Sequence, residues 1–123
     1  MAEQHKIGQH LIADFYGAEN LDDLSSIERA LLRAAAAANA TVLNSQLHKF
    51  DGGGGVTGVV LLSESHISIH TWPEYGYAAF DIFLCGDNDP LPALEILRNA
   101  FRPNYVEQQV IERGARQSRL LDL

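Results

Sequence analysis

The sequence predicts an α+β domain, a two-layer α/β sandwich with a mostly antiparallel sheet and two helices on one face. Short segments with period-two alternation, typical of strands, occur before, between and after two longer segments with helical spacing. The order along the chain is strand, helix, several hairpin-linked strands, helix and strand. A chain of 123 residues is long enough for one such core, so we expect a single domain over residues 1–123.

The first half of the chain begins with one strand and one helix. Gly8–Tyr16 mixes apolar and polar residues and predicts a strand after a loose start. Asn20–Asn39 carries leucine and isoleucine at helical spacing and an alanine-rich end, which favours a helix capped by Asn20 or Asp22. Ala40–Phe50 alternates at period two and predicts the second strand.

Four consecutive glycines separate the second strand from the third. Asp51–Gly55 has the sequence DGGGG, which disfavours the interior of a helix or strand and predicts a flexible hairpin loop. Val56–Leu62 is rich in β-branched residues and predicts a strand that is buried on both faces or nearly so. Ser63–Trp72 alternates again, and Pro73 ends it.

The second half of the chain continues with a turn at Glu74–Gly76. The elements predicted after it are a strand over Tyr77–Leu84, a loop over Gly86–Pro92, a helix over Leu91–Phe101 opened by Asp89 and Pro90, and a strand over Asn104–Glu112. The segment Arg113–Leu123 has no strong pattern.

The composition limits the classes of partner. Nine Lys and Arg against 16 Asp and Glu give a formal net charge of −7, which argues against nucleic-acid binding and suits a cationic small ligand. A single cysteine excludes an internal disulfide framework. The sequence has no membrane-length apolar stretch and no signal peptide, so we expect a cytoplasmic protein with no membrane partner.

Polar residues crowd the middle of the predicted sheet. They are Ser63, Glu64, Ser65, His66, Ser68, His70 and Thr71, and Cys85 follows the next strand. A structural interpretation has the histidines satisfied by neighbouring groups and the cysteine filling space in the core. A buried polar group needs a partner or a role, so a functional interpretation competes with it.

Two general kinds of catalytic site are alternatives to the structural interpretation. A zinc site would have to join His66 and His70, about 13 Å apart on one strand, with Cys85 or Asp81, which requires a bend. A hydrolase could pair Ser65 with His70 or Cys85, but the sequence has no G-x-S-x-G motif. We expect neither, and no bound metal.

One long segment resembles a known signature. SESHISIHTWPEYGYAAFDIFLCG, Ser63–Gly86, closely resembles that of S-adenosylmethionine decarboxylase proenzymes of the short prokaryotic type. The segments GQHLIADFY, ATVLNSQLHKF, VTGVV and VIERG also lie where that family has similar segments. The resemblance covers about residues 8–114.

The resemblance implies self-cleavage between Glu64 and Ser65, giving chains 1–64 and 65–123. The Ser65 hydroxyl attacks the Glu64 carbonyl carbon to give an ester. The ester breaks by β-elimination to dehydroalanine, and hydrolysis of the dehydroalanine gives a pyruvoyl group derived from Ser65 and releases ammonia. By family position, His70 is the processing base and Thr57 the hydroxyl that helps hold the tetrahedral intermediate. The family usually has serine at that position, so Thr57 is a mild departure.

The resemblance also implies the reaction. The pyruvoyl group forms a Schiff base with S-adenosylmethionine and accepts electrons as carbon dioxide leaves, and Cys85 reprotonates the product. Phe50 matches the aromatic that stacks on the substrate and Glu74 the carboxylate that binds the ribose, while Trp72 is expected to pack. The product is decarboxylated S-adenosylmethionine, the aminopropyl donor for spermidine biosynthesis, and the enzyme is a homodimer of cleaved protomers.

Two other functions remain open at this point. Pyruvoyl chemistry requires only an α-amino acid, so a relative could decarboxylate ornithine or arginine, and would not need Phe50 as a stacking face. A non-catalytic homologue could instead bind or regulate another enzyme. The presence of Ser65, His70 and Cys85 together argues against a non-catalytic protein.

Overall fold

Six strands form one antiparallel sheet in the computed structural model, which describes residues 7–115. The strands are β1 (Gly8–Tyr16), β2 (Val42–Lys49), β3 (Val56–Leu62), β4 (Ser65–Trp72), β5 (Tyr77–Cys85) and β6 (Tyr105–Arg113). The helices are α1 (Leu24–Ala37) and α2 (Leu91–Phe101), and a short 3₁₀ helix spans Pro73–Tyr75. The order across the sheet is β2-β3-β4-β5-β1-β6, and every neighbouring pair is antiparallel.

One face of the sheet is buried beneath the two helices. Alternate residues of β1, β3, β4 and β5 join the inner residues of both helices in one apolar core, because successive side chains of a strand point to opposite faces. The Phe80 ring connects the layers, since its centroid lies 4.7 Å from that of Phe15 in β1 and 5.7 Å from that of Phe101 in α2. The predicted two-layer α+β sandwich is confirmed.

The opposite face of the sheet, called the open face below, is only partly shielded by residues 7–115. On β3, Val60 and Leu62 point to the helices and are buried, whereas Leu61 points the other way and is 47% exposed. The prediction that Val56–Leu62 is buried on nearly both faces is therefore wrong. The physical reason is that both helices pack on the same side of the sheet.

The start of α1 also differs from the prediction. Asn20 has a φ of 62°, a left-handed conformation that lies outside the helix. The helix begins at Leu24, and Asp23 caps it by accepting hydrogen bonds from the Ser26 amide at 3.3 Å and the Ser26 hydroxyl at 2.9 Å. These hydrogen bonds lower the pKa of the Asp23 carboxyl. The cap is thus Asp23, and neither Asn20 nor Asp22.

The other boundaries follow the sequence pattern closely. The bounds of β1, β3 and α2 agree with the prediction, and those of β2, β4, β5 and β6 shift by one or two residues. One shift matters for the site, since β4 begins at Ser65 and leaves Ser63 and Glu64 in the turn before it. The loose start and most of the tail lie outside the described residues. Within residues 7–115, neither helix has the length and apolarity needed to cross a membrane.

Candidate active site

The residues singled out from the sequence fall into two clusters at opposite ends of β4. The serine end consists of Glu64, Ser65 and Cys85, and the histidine end consists of Phe50, Thr57, His70 and Glu74. His70 is five residue steps along the extended strand from Ser65, which places their Cα atoms about 17 Å apart. One copy of the chain therefore does not bring the cleavage-site serine to the predicted processing base.

The serine end is built on the turn between β3 and β4. The Glu64 carbonyl oxygen accepts a hydrogen bond from the Cys85 backbone amide at 2.8 Å. The Glu64 carboxylate accepts another from the Thr41 amide at 2.9 Å. The peptide bond before Ser65 is thus held from both sides, and an amide dipole points at the carbonyl oxygen that would carry negative charge during attack.

The backbone of Ser65 is strained. Its φ is 143°, a region that residues with a side chain rarely adopt, although Ser65 is the first residue of a strand. Such conformations cost on the order of 1–3 kcal/mol and persist only where the surroundings enforce them. The strain therefore lies at the residue whose preceding peptide bond is the predicted cleavage site.

Cys85 ends β5 with its side chain exposed and its thiol free. Its backbone lies opposite Gly8 of β1, and its amide makes the bond to Glu64 described above. The interpretation of this cysteine as a core residue is wrong, because the strand ends at the rim of the sheet. An exposed thiol beside the cleavage site can exchange a proton with a ligand there.

The histidine end is set by the register between β3 and β4. Thr57 and His70 lie directly opposite each other, and Thr57 Oγ1 is 3.2 Å from His70 Nδ1. Both side chains are on the open face. The hydroxyl and imidazole predicted to assist processing therefore form one hydrogen-bonded pair.

A pocket of about 350 Å³ surrounds this pair. Its lining residues are Phe50, Gly55, Thr57, His70, Thr71, Trp72 and Glu74. Phe50 is half exposed and thus outside the core, and Trp72, which was expected only to pack, is 40% exposed. Two aromatic side chains and a carboxylate around a cavity of this size suit a flat ligand that carries positive charge.

Gly55, the last residue of the glycine loop, fits tightly against the wall of this pocket. The Phe50 amide donates to the Gly55 carbonyl at 2.9 Å and closes the hairpin. A Cβ atom on Gly55 would lie 1.8 Å from the Thr71 carbonyl oxygen, so only glycine fits there. The Thr71 hydroxyl accepts from the Val56 amide at 2.8 Å and donates to the Leu21 carbonyl at 2.7 Å. These contacts fix the position of Phe50 relative to β4.

A row of aromatic residues extends from the pocket across the open face. The Trp72 ring lies 5.2 Å from that of Tyr77, whose centroid is 5.5 Å from that of Tyr16. The Tyr77 hydroxyl donates to Asp14 at 2.7 Å. Burial, followed by this hydrogen bond, raises the pKa of Tyr77 to about 12. Tyr77 therefore stays protonated at neutral pH and keeps its bond to Asp14.

The histidines do not meet the other candidate ligands as a zinc site would require. In the described part of the chain, His, Cys, Asp and Glu side chains form no group of three or more that could hold a metal ion. His10 and Asp81 are in contact at 2.8 Å, but His70 is paired with Thr57 at the far end of β4.

Comparison with known proteins identifies the family. Residues 9–114 match the family model described as S-adenosylmethionine decarboxylase. The chain belongs to this family. It is 45% identical over 109 residues to the S-adenosylmethionine decarboxylase proenzyme of Thermomicrobium roseum, covering 88% of this chain and 94% of the relative. It is 46% identical over 111 residues to the proenzyme of Thermotoga maritima, covering 88% and 85%.

A solved structure agrees with this assignment. The crystal structure of the adenosylmethionine decarboxylase from Aquifex aeolicus superposes with a TM-score of 0.83 at 40% sequence identity. The match covers 89% of this chain and 92% of that structure. The predicted resemblance, the α+β fold and the class of S-adenosylmethionine decarboxylases, which are pyruvoyl-dependent carboxy-lyases, are therefore confirmed.

Proposed function

We propose that this S-adenosylmethionine decarboxylase cleaves itself between Glu64 and Ser65, and that Ser65 becomes the pyruvoyl group of chain 65–123. Chain 1–64 then ends at Glu64. The enzyme converts S-adenosylmethionine to carbon dioxide and decarboxylated S-adenosylmethionine, the aminopropyl donor for spermidine biosynthesis. The observation that carries the proposal is the serine end, where the strained Ser65 lies between a hydrogen-bonded Glu64 carbonyl and the exposed Cys85.

Cleavage uses groups that are already in place. Ser65 Oγ attacks the Glu64 carbonyl carbon, and the Cys85 amide stabilises the charge on the carbonyl oxygen. The carbon–nitrogen bond breaks, the Ser65 nitrogen takes a proton, and an ester remains. Removal of the Ser65 α-proton expels the main-chain carboxylate of Glu64, which becomes the end of chain 1–64. Hydrolysis of the resulting dehydroalanine releases ammonia. Relief of the strained φ of Ser65 favours the first step.

The residues at the serine end fit a pyruvoyl group. When present, that group supplies the electron sink for loss of carbon dioxide. The chain must then deliver one proton to the α-carbon of the product, and the exposed Cys85 thiol is the donor. Protonation at the carbon that comes from the pyruvoyl group would instead convert the cofactor to an alanine residue and end the enzyme's activity.

Replacement of Cys85 by alanine is expected to permit self-cleavage but not sustained decarboxylation. The Cys85 backbone amide remains in this variant, so its hydrogen bond to the Glu64 carbonyl is kept. Activity should decay during turnover as chain 65–123 gains a free amino-terminal alanine, which amino-terminal sequencing detects. Wild-type protein incubated with substrate is the control. Steady turnover by Cys85→Ala without this change would contradict the proposed proton donor.

The pocket at the histidine end binds the substrate. S-adenosylmethionine carries a cationic sulfonium and a flat adenine, which suit Phe50, while the carboxylate of Glu74 can accept hydrogen bonds from the ribose hydroxyls. The net charge of −7 favours approach of a cationic ligand.

Loss of the Phe50 ring is expected to raise the KM for S-adenosylmethionine about tenfold, the upper range for one aromatic contact. Phe50 is half exposed, so the variant should fold normally. Steady-state assays of Phe50→Ala measure the effect, and Phe50→Tyr, which keeps the stacking face, is the matched control. An unchanged KM in Phe50→Ala would contradict the stacking role.

A homodimer completes the site. Ser65 and the pair of Thr57 and His70 are about 17 Å apart in one chain, on a sheet with a half-exposed face. Consider two copies whose open faces stack on each other about a two-fold axis. If this axis lies between the two sheets, perpendicular to β4 and level with its middle, β4 of the second copy runs in the opposite direction. Ser65 would then face the partner subunit's His70, and each active site would contain both ends of β4.

The compartment follows from the chemistry of the thiol. Cys85 is exposed and must stay reduced to donate a proton. The cytoplasm keeps thiols reduced. We therefore place the cleaved dimer in the cytoplasm.

The function is tested by measuring carbon dioxide release from three labelled substrates. S-adenosylmethionine should be decarboxylated, whereas ornithine and arginine, which lack an adenine for Phe50, should not. Release from ornithine or arginine alone would overturn the proposed substrate. No release from any of them by cleaved protein would overturn the activity.

A further inference from the structure

A histidine with no assigned role contacts the serine at the cleavage site. His66 Nδ1 lies 3.3 Å from Ser65 Oγ. Neighbouring residues of a regular strand point their side chains to opposite faces, so such a contact is not expected within β4. It occurs here where the Ser65 backbone, with a φ of 143°, departs from strand geometry. The strained conformation and the contact thus coincide at the same hydroxyl.

Neighbouring rings hold the His66 imidazole in place. Phe83 lies opposite His66 in the register of β4 and β5, and the two rings are nearly perpendicular, with centroids 6.0 Å apart. His10 stacks on Phe83 at 5.1 Å and also meets His66 edge-on at 6.3 Å. The imidazole of His66 therefore packs against the stack of Phe83 and His10 while its Nδ1 contacts Ser65.

Polar contacts on both ring nitrogens hold His10 in this stack. An Arg113 nitrogen lies 3.0 Å from His10 Nδ1, and because guanidinium groups only donate, this nitrogen accepts. The proton of His10 is then on Nε2, which donates to Asp81 at 2.8 Å. Arg113 also lies over the Phe83 ring, 5.3 Å from its centroid. This network fixes the position of the rings against which His66 packs.

We propose that His66 is a catalytic residue of self-cleavage and acts as the general base for its first step. Nδ1 takes the proton of Ser65 Oγ as that oxygen bonds to the Glu64 carbonyl carbon. The bond from that carbon to the Ser65 nitrogen breaks, and the same proton moves to this nitrogen. One bond forms, one breaks, and no other reactant is needed.

This inference rests on the proposed cleavage before Ser65 and divides the process between two histidines. His66 serves ester formation, for which it touches the reacting atom. His70 is left for the second step, removal of the Ser65 α-proton. The two roles differ in the species that accumulates when each histidine is replaced.

The test separates the steps with hydroxylamine, which cleaves esters and leaves ordinary peptide bonds intact. His70→Ala should form the ester and stop, so hydroxylamine should cut it after Glu64. The double variant His66→Asn/His70→Ala should become sensitive to hydroxylamine about 100-fold more slowly than His70→Ala, because asparagine places polar atoms near Nδ1 but cannot take the proton. The single variant His66→Asn should cleave itself about 100-fold more slowly than the wild type, the lower range for a lost general base.

Controls distinguish the role of His66 from a merely structural one. His48→Asn/His70→Ala removes a different histidine of the open face and should remain sensitive to hydroxylamine. Circular dichroism and thermal unfolding verify that each variant is folded. Wild-type cleavage rates in His66→Asn, or ester formation in the folded double variant as fast as in His70→Ala, would overturn the role of His66 while leaving the proposed cleavage intact. A wild-type chain that never cleaves would overturn both.

Discussion

Replacing Ser65 by alanine is expected to leave the chain uncut and without detectable decarboxylation of S-adenosylmethionine. The variant lacks the hydroxyl that attacks the Glu64 carbonyl, so neither the ester nor the pyruvoyl group can form. The rest of the chain should fold as before, because Ser65 is half-buried at the start of a strand rather than in the core. Denaturing electrophoresis measures cleavage, and carbon dioxide release measures activity.

Ser63→Ala is the matched control for this experiment. Ser63 lies two residues before Ser65, in the turn that precedes β4, and is exposed. Its backbone amide donates a hydrogen bond to the Thr41 carbonyl at 2.9 Å. Alanine keeps that bond, so Ser63→Ala should cleave and decarboxylate normally. Cleavage of Ser65→Ala at the same position would show that the hydroxyl of Ser65 is not the nucleophile.

Mixed dimers of two inactive variants are expected to recover activity. Ser65→Ala and His70→Ala should each be inactive alone, since every site of either homodimer lacks one essential group. In a mixed dimer, one site joins the intact Ser65 of one chain to the intact His70 of the other. That dimer should have about half the wild-type activity, because one of its two equivalent sites is complete.

The measurement uses co-expressed chains with different affinity tags, purified through both. The His70→Ala chain in the mixed dimer should be cleaved, and the Ser65→Ala chain should stay whole. A doubly inactive chain, Ser65→Ala/His70→Ala, paired with His70→Ala is the control: it keeps one Ser65 but has no intact His70, so it should show no recovery. Inactive mixed dimers of the two single variants would contradict a site shared between protomers.

Local patterns were sufficient to predict most of the fold. The strands β1 and β3 and the helix α2 have the predicted bounds, because a glycine or proline marks one end of each: Gly17 follows β1, Gly55 precedes β3 and Pro90 precedes α2. The start of α1 was missed because Leu21 continues the apolar pattern although it is buried from a turn, outside the helix. The burial of Val56–Leu62 was overestimated because this segment is apolar on both faces, although the helices cover only one of them.

The site was harder to predict because it depends on register and backbone strain. The pair of Thr57 and His70 follows from cross-strand pairing, which residue spacing alone does not give. The contact between Ser65 and His66 was missed because alternation places neighbours on opposite faces, and only the unusual φ of Ser65 permits it. Two sequence features could have indicated the pocket wall, namely the aromatic residue Trp72 and the glycine run that ends at Gly55.

Intact mass under denaturing conditions tests the central claim most directly. We expect two chains, residues 1–64 and 65–123, with the second lighter than the simple hydrolytic fragment by one ammonia. That difference is the signature of a serine converted to a pyruvoyl group. A single chain of 13.5 kDa, or a second fragment that retains an amino-terminal serine, would contradict it.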